Sequence, residues 1–405
     1  MAKTSKQTSK KDVATKPTSK AARPDDLAAA LIRDLNKEFG TRVAYNLSEA
    51  EAPTIVKRWL PTGSIQLDYA IANKREGGYP EGRLIEISGM EATGKSHLAY
   101  ETAREVQRMG GLVVYIDTEN ATPVDKLANV GIDVRKRFVY CDTHCTEEVF
   151  SILESTITKA KSVLDKNIPI LAIWDSVAAT SPKAELEGNY DQETMGLQAR
   201  VLSKGFRKIM GVLGQNNVTL ICINQLRSKI GVMYGDPMVS PGGNAIPFHA
   251  SVRPRLGSGQ PIKDKDGRVI GIKVTVSLKK NKVGPPHRHF EMEIHFGRGI
   301  VEHEQLFDEC NRWIKKHGPV EKDGKKIEIG GDQAWKHLLV TDAETGEVEL
   351  EKKFTKSQFD EIIKDEAYGP IVAEVFDRVL TQEIKSNVDE SEEVDTSEDS
   401  DGEAA

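Results

Sequence analysis

The octapeptide GMEATGKS at 89–96, which fits G-x-x-x-x-G-K-[ST], constrains this chain more tightly than any other stretch. It follows the short apolar run at 84–87 and precedes 95–109, a segment that can be helical and is stopped by Gly110 and Gly111. LVVYID at 112–117 then reads as a buried strand. A glycine-rich turn inside such a βαβ unit is a phosphate cradle. Gly89 and Gly94 let the backbone wrap closely, so that the N–H groups of Met90, Glu91, Ala92 and Thr93 and the helix N-terminus face an anion. Lys95 is placed to reach β- and γ-phosphates, and Ser96 to coordinate Mg²⁺. Spacing and context agree, which disfavours the plainer reading as a tight structural turn.

The alternation continues beyond this unit. Apolar runs at 138–141, 170–175 (ILAIWD) and 219–224 (TLICIN) are separated by helical segments at 146–161 and 196–215. This predicts an α/β fold with a mostly parallel sheet flanked by helices on both faces. The β-rich stretches IGIKVTVSL (270–278) and HFEMEIHF (289–296) extend that core. Residues 305–385 change to mixed charged and helical sequence with DG, GG and TG turns, and are expected to form a small C-terminal α+β domain. Near the other end, Pro24, Asp25 and Asp26 suit a helix start and Gly40 its end, with Leu27, Leu31, Leu35 and Phe39 recurring every fourth residue. That stripe must be covered by the chain's own core or by a neighbouring subunit, and the pattern leaves both open.

Charge separates the ends from the body. Among 405 residues, 56 Lys and Arg stand against 62 Asp and Glu, a net −6. Residues 1–24 carry seven bases and one acid, whereas 386–405 carry nine acids and no base, leaving −3 between them. The ends read as a disordered basic arm and a disordered acidic tail. The expected layout is arm 1–24, N-terminal helix and linker 25–60, nucleotide-binding core 61–304, small domain 305–385 and tail 386–405. Four cysteines make no disulfide framework, and Cys141 and Cys145, with His144 between them, lack a second pair to complete a metal site. There is no run of 18 apolar residues and no apolar signal core, which argues against a membrane partner and for a cytoplasmic location.

Strand ends supply further candidates. Asp175 closes ILAIWD, where its carboxylate would emerge at the same sheet edge as the phosphate loop and support the metal, although a strand-end Asp can also cap the next helix. Glu119, just past LVVYID, is either a group that orients and deprotonates water or plain surface charge. Gln225, just past TLICIN, can sense a γ-phosphate and pass its presence to the following loop. On the helix after 196, Arg200, Lys204, Arg207 and Lys208 form a basic stripe that suits a phosphate backbone or an ordinary solvated face. Two long glycine-bearing loops flank it, 188–196 and 226–243, tipped with Met195, Ile230 and Met233. Exposed apolar tips make poor sense unless they pack on something in the active state.

These residues together resemble the bacterial RecA recombinase family, phage-encoded members included. The resemblance runs from about residue 26 to 315, through PTGSIQLD, GRLIEISG, GMEATGKS, VVYIDTENA, DSVAATSPKAELEG, MGLQAR, INQLRSKIGVMYGDP, GGNA and KKNK. It implies a P-loop RecA-type core in a DNA-dependent ATPase that uses ATP and Mg²⁺. It also implies self-assembly into a helical filament on single-stranded DNA and pairing with homologous duplex DNA in recombination, repair and the SOS response to DNA damage. Single-strand-binding and loader proteins are implied as further partners, in the cytoplasm of a bacterium or a phage-infected host. Carried onto matching positions, the resemblance makes Lys95 and Ser96 the phosphate and Mg²⁺ ligands, Asp175 the metal support, Glu119 the catalytic base and Gln225 the γ-phosphate sensor. Lys280 and Lys282 of KKNK, otherwise a solvated basic turn, become groups that reach the ATP of an adjacent subunit. Phe248 becomes an interface aromatic, and the stripe Leu27, Leu31, Leu35 and Phe39 the helix that docks on the next subunit. DNA contacts fall to Met195, Arg200, Ser203, Arg207, Arg227, Lys229, Ile230 and the backbone of Gly242, Gly243 and Asn244. Apolar loop tips would enter between base triplets, a wedging that costs about a few kcal/mol per step.

The chain departs from the family at Pro123 and Lys126, where an aspartate and a tyrosine usually frame the adenine ring, so adenine selectivity is not inherited. Residues 320–385 match only loosely, with an insertion around DAETGEVELEKK. The competing readings are a ring-forming helicase motor on the same fold and a regulatory ATP-binding DNA scaffold; KKNK and the two loops argue against the motor. The acidic tail is expected to compete with DNA for the basic surfaces.

Overall fold

The computed structural model describes residues 24–48, 52, 54–163, 165, 167–189, 196–228, 238–239, 241–331 and 334–381, and the chain divides into two units, 1–56 and 57–405. In the first unit α1 (Pro24–Phe39) ends at Gly40, whose φ of +63° lies in the left-handed region. Asn36 then turns the chain back: its side-chain oxygen accepts from the N–H of Val43 and Ala44, and its amide donates to the Ala44 carbonyl. Of the apolar stripe, Leu27, Leu31 and Phe39 are exposed and Leu35 is half-buried.

In the second unit, short strands β1 (Trp59–Leu60) and β2 (Tyr79–Pro80) pair on either side of α2 (Ile65–Ala72) in the chain. The alternating region then follows as β3 (Leu84–Gly89), α3 (Lys95–Arg108), β4 (Leu112–Asp117), α4 (Val124–Val130), β5 (Phe138–Asp142), α5 (Thr146–Val163) and β6 (Ile170–Asp175). After the short α6 (Lys183–Leu186) come α7 (Leu197–Asn216) and β7 (Val218–Gln225). The pair β8 (Arg227–Ser228) and β9 (Met238–Val239) precedes α8 (Ala245–His249). The run β10 (Val252–Leu256), β11 (Gln260–Lys263), β12 (Val269–Asn281), β13 (His289–His295) and β14 (Gly299–Val301) completes the sheet.

The main sheet is ordered β14-β13-β12-β10-β3-β7-β6-β4-β5, with β11 added on β12. From β10 to β5 all neighbours are parallel, and the strands on the other side are antiparallel. This is the expected mostly parallel α/β architecture. KKNK differs from expectation, since its first three residues close β12 and only Lys282 lies beyond the strand: Val274, Val276 and Leu278 keep every second residue in the core, and the strand runs on to Asn281.

Period-two alternation builds a core on each face. Ile85, Ile87, Tyr115, Ile173 and Ile221 meet Leu98, Ala99, Ala103 and Val106 of α3. Leu84, Val114, Ile116, Trp174 and Leu220 meet α5 and α7 on the opposite face. Leu202, Phe206, Ile209 and Leu213 give α7 one buried stripe, with Phe206 edge-on to Phe150 of α5 at 5.3 Å. Gly205 is required at that crossing, because a Cβ there would lie 2.2 Å from the Phe150 ring.

A separate sheet, β15 (Val320–Lys322), β16 (Lys325–Gly330), β17 (Lys336–Asp342) and β18 (Val348–Phe354), is antiparallel and paired in chain order. It packs with α9 (His303–His317), α10 (Phe359–Lys364) and α11 (Gly369–Leu380) around Phe307, Phe354, Phe359 and Phe376, and the inserted DAETGEVELEKK forms the β17–β18 turn and hairpin arm. Tyr69 of α2 joins that cluster and donates to Asp377 at 2.6 Å, while Arg75 bridges Glu374 and Asp377.

At the entry to α9, half-buried Glu302 accepts hydrogen bonds from the Ser64 hydroxyl (2.7 Å) and the N–H groups of Ile65 (2.5 Å) and Gln66 (3.3 Å), which satisfies the N-terminus of α2. Enclosure of the carboxyl nonetheless pushes its pKa up to about 6, outweighing these bonds. The folded value lies above the unfolded one of about 4.3. Its contribution to stability is therefore fully present below about pH 4.3 and lost as pH rises through about 6. The parent protein is expected to gain stability relative to Glu302→Gln as pH falls from about 7 to about 5, read as the change in their urea midpoint difference.

Candidate functional site

Parallel pairing lines up the strand ends. Gly89 at the end of β3 lies opposite Gln225 of β7, and Asp117 of β4 lies opposite Asp175 of β6. The loop 89–94 rises from this edge into α3. Gly89 has no room for a side chain, since a Cβ would sit 2.7 Å from Thr93 Oγ1 and 2.8 Å from the Leu256 carbonyl, and Gly94 caps α3 at φ +87°. The backbone thus takes the close wrap that the motif demands, and the helix N-terminus opens toward it. Lys95 Nζ donates to the Met90 carbonyl at 2.6 Å. Burial lowers the pKa of its ammonium, against the opposing pull of Asp175, Glu119 and Glu91.

Asp175 accepts a hydrogen bond from the Tyr115 hydroxyl at 2.6 Å and another from Ser96. Its carboxyl is nevertheless pushed up, chiefly by burial and further by the charges of Glu119 and Asp117. A divalent cation beside Ser96 and Asp175 would relieve this crowding, so the donor set fits Mg²⁺. Asp117 accepts from the N–H groups of Glu119 and Thr122 and from the Tyr140 hydroxyl, each at 3.1 Å. Glu119 is exposed, and its Oε1 accepts from Ser176 Oγ at 2.6 Å.

Asp117, Glu119 and Asp175 line a cavity of about 490 Å³, with Gly94, Ser96, His97, Tyr100, Thr122, Lys126 and Phe296 also on its wall. Its size suits a nucleotide. Lys126 faces this space, whereas Pro123 is the N-cap of α4 and is not on the wall. Sequence reasoning missed Tyr115, Asp117, Ser176, His97 and Phe296. Asp117 alone left a signal, as an acid closing the apolar run LVVYID in the manner of Asp175.

Lys280 and Lys282 do not line this cavity. Lys280 donates to the carbonyls of Pro247 and Phe248 at 2.7 and 2.8 Å, and burial lowers its pKa, with Lys282 and Arg253 adding to the effect. Lys282 is exposed, and Phe248 beside them has 74% of its surface exposed.

On α7, Arg200, Lys204 and Arg207 are exposed and Ser203 is half-buried. Lys208 is exposed as well, and its ammonium pairs with Glu154 of α5 at 2.8 Å. Gly242 and Gly243 pack against α7: a Cβ on the first would come within 2.5 Å of Leu202, and on the second within 3.0 Å of Ala199. Asn244 and Arg227 are exposed. Met195, Lys229, Ile230 and Met233 lie outside the described residues. Among the described residues no helix is long and apolar enough to cross a membrane.

Comparison with known proteins places this geometry among relatives. The RecA N-terminal domain model matches residues 26–301. Protein RecA of Petrotoga mobilis is 35% identical over 325 residues, covering 78% of this chain and 84% of the relative. Protein RecA of Bacteroides thetaiotaomicron is 39% identical over 279 residues, 69% of this chain and 80% of the relative. Protein RecA of Thermus aquaticus is 38% identical over 300 residues, 74% and 83% respectively.

A hydrogen bond to a charged acceptor contributes about 1.5–3 kcal/mol. Tyr115→Phe, which removes one from Asp175, is expected to raise the Mg²⁺ concentration for half-maximal nucleotide binding by about tenfold. Titration of a fluorescent nucleotide against Mg²⁺ measures it.

Proposed function

Because this chain belongs to the RecA family of recombinases, we propose that it is a DNA-dependent ATPase that forms ATP-bound filaments on single-stranded DNA and exchanges strands with a homologous duplex. The observation that carries this reading is the register of β7 on β3. Gln225 sits opposite Gly89, and the Leu226 N–H donates to the Gly89 carbonyl at 2.9 Å. The strand that ends beside the phosphate loop is therefore followed in sequence by 226–243, whose final glycines, Gly242 and Gly243, pack against the basic helix α7.

A phosphate chain in the loop would offer Lys95 a charged acceptor in place of the neutral Met90 carbonyl. Ser96 and Asp175 would hold Mg²⁺, which neutralises developing charge on the phosphate oxygens when bound. With Oε1 of Glu119 held by Ser176, Oε2 remains to take the proton of an attacking water. The Gln225 amide can donate to a γ-phosphate oxygen. Loss of that acceptor on hydrolysis would release the start of 226–243 and loosen DNA. Phe248 and the stripe of Leu27, Leu31, Leu35 and Phe39 offer apolar surface for a neighbouring subunit, and Lys280 and Lys282 would approach that neighbour's nucleotide. Arg200, Ser203, Arg207, Arg227 and the turn Gly242, Gly243 and Asn244 would hold the DNA backbone.

Electron microscopy with ATP and single-stranded DNA is expected to show helical filaments, and a homologous strand-exchange assay to show joint molecules. Closed hexameric rings would point to a helicase motor, and filaments without exchange to a scaffold. Glu119→Gln is expected to lower kcat about 10²–10³-fold while retaining ATP-dependent DNA binding. Hydrolysis at the parental rate would remove Glu119 as the base.

A further inference from the structure

Glu119 is exposed, so the hydroxyl of Ser176 decides which carboxylate oxygen is left for water. Ser176 is itself pinned. Its N–H donates to Thr118 Oγ1 at 2.8 Å, and the same Thr118 hydroxyl donates to the Ser176 carbonyl at 2.7 Å. Both residues are buried. A single 3₁₀ turn, Val177–Ala179, leads from Ser176 to Thr180. The carbonyls of Val177 and Thr180 both accept from one group, the side-chain amide of Gln198, at 3.3 and 2.6 Å. Gln198 is the second residue of α7, two positions before Arg200 and five before Ser203.

One primary amide thus fastens the start of the basic helix to the turn that carries Ser176. We propose that Gln198 couples α7 to hydrolysis: DNA engaged by α7 shifts the 177–180 turn, and Ser176, as a positioning residue, reorients Glu119. The idea rests on the reading of Glu119 as base and of α7 as DNA-facing, and it adds a route separate from Gln225. A movement of about 1 Å is enough to break or make a hydrogen bond of this length, so a small shift of α7 has a large effect on the carboxylate. Gln198 touches neither the phosphate loop nor Glu119, which makes the coupling separable from the chemistry.

The test measures ATPase with and without single-stranded DNA, together with DNA affinity by anisotropy. Gln198→Leu keeps the side chain's bulk and removes both donors. It is expected to leave the DNA-free rate and DNA affinity within about threefold and to cut the stimulation by DNA about fivefold or more, roughly the loss of one hydrogen bond. Gln198→Asn, one methylene shorter, provides a second variant, with partial loss expected. Ser176→Ala is expected to lower kcat about tenfold with KM for ATP unchanged, and Ser176→Thr to restore it. The double variant should lose no more stimulation than Gln198→Leu alone. Full stimulation in Gln198→Leu and Gln198→Asn overturns the coupling. A parent protein that hydrolyses ATP without responding to DNA overturns instead the functional reading on which it rests.

Discussion

The in-register parallel pairing of β3, β7, β6 and β4 is the constraint on which the rest depends. Parallel strands end on the same side of a sheet, so residues far apart in the chain meet at one edge without any loop having to place them. Gly89, Gln225, Asp175 and Asp117 are neighbours for that reason. The pairing survives because both faces are covered, by α3 on one side and by α5 and α7 on the other. A slip of one residue would turn Trp174 and its neighbours toward the wrong layer and separate Asp175 from Asp117.

The same edge concentrates charge. Asp117, Glu119 and Asp175 converge beside one lysine, and burial together with like charge raises the pKa of Asp175 even with Tyr115 and Ser96 donating to it. Lys95, short of water, loses proton affinity, and its ammonium rests on a backbone carbonyl. An edge built this way is short of a cation, which a magnesium-bound phosphate chain brings, and it leaves the Lys95 ammonium on a neutral acceptor. The asymmetry makes the nucleotide reading physical as well as familial.

Much of this was legible beforehand. The strand and helix order follows from local apolar period, and the phosphate loop from eight contiguous residues, so both were readable at 84–117. Asp175, Glu119 and Gln225 were readable as polar residues closing or following apolar runs. Tyr115 was not, because in LVVYID it reads as one more buried apolar residue, and its hydroxyl meets Asp175 only when β4 and β6 pair. The ion pair of Lys208 was not legible either, since helical spacing on α7 cannot show that Glu154 waits on α5. KKNK looked like a turn because polarity usually ends a strand, yet the buried alternation of Val274, Val276 and Leu278 carried β12 on to Asn281.

The sequence by itself therefore determined the α/β order, the loop-to-helix motif at 89–96 and the family, all of which are written in short-range spacing. Tertiary structure alone decided which oxygen of Glu119 is occupied, what holds Asp175, and that Gln198 ties the basic helix to the turn behind the site. Those are hydrogen bonds between residues 21 to 60 positions apart for the Tyr115–Asp175, Ser176–Glu119 and Gln198–Val177 pairs. Their geometry exists only after the sheet has set its register, because a hydrogen bond needs donor and acceptor within a few tenths of an ångström and local pattern carries no such information.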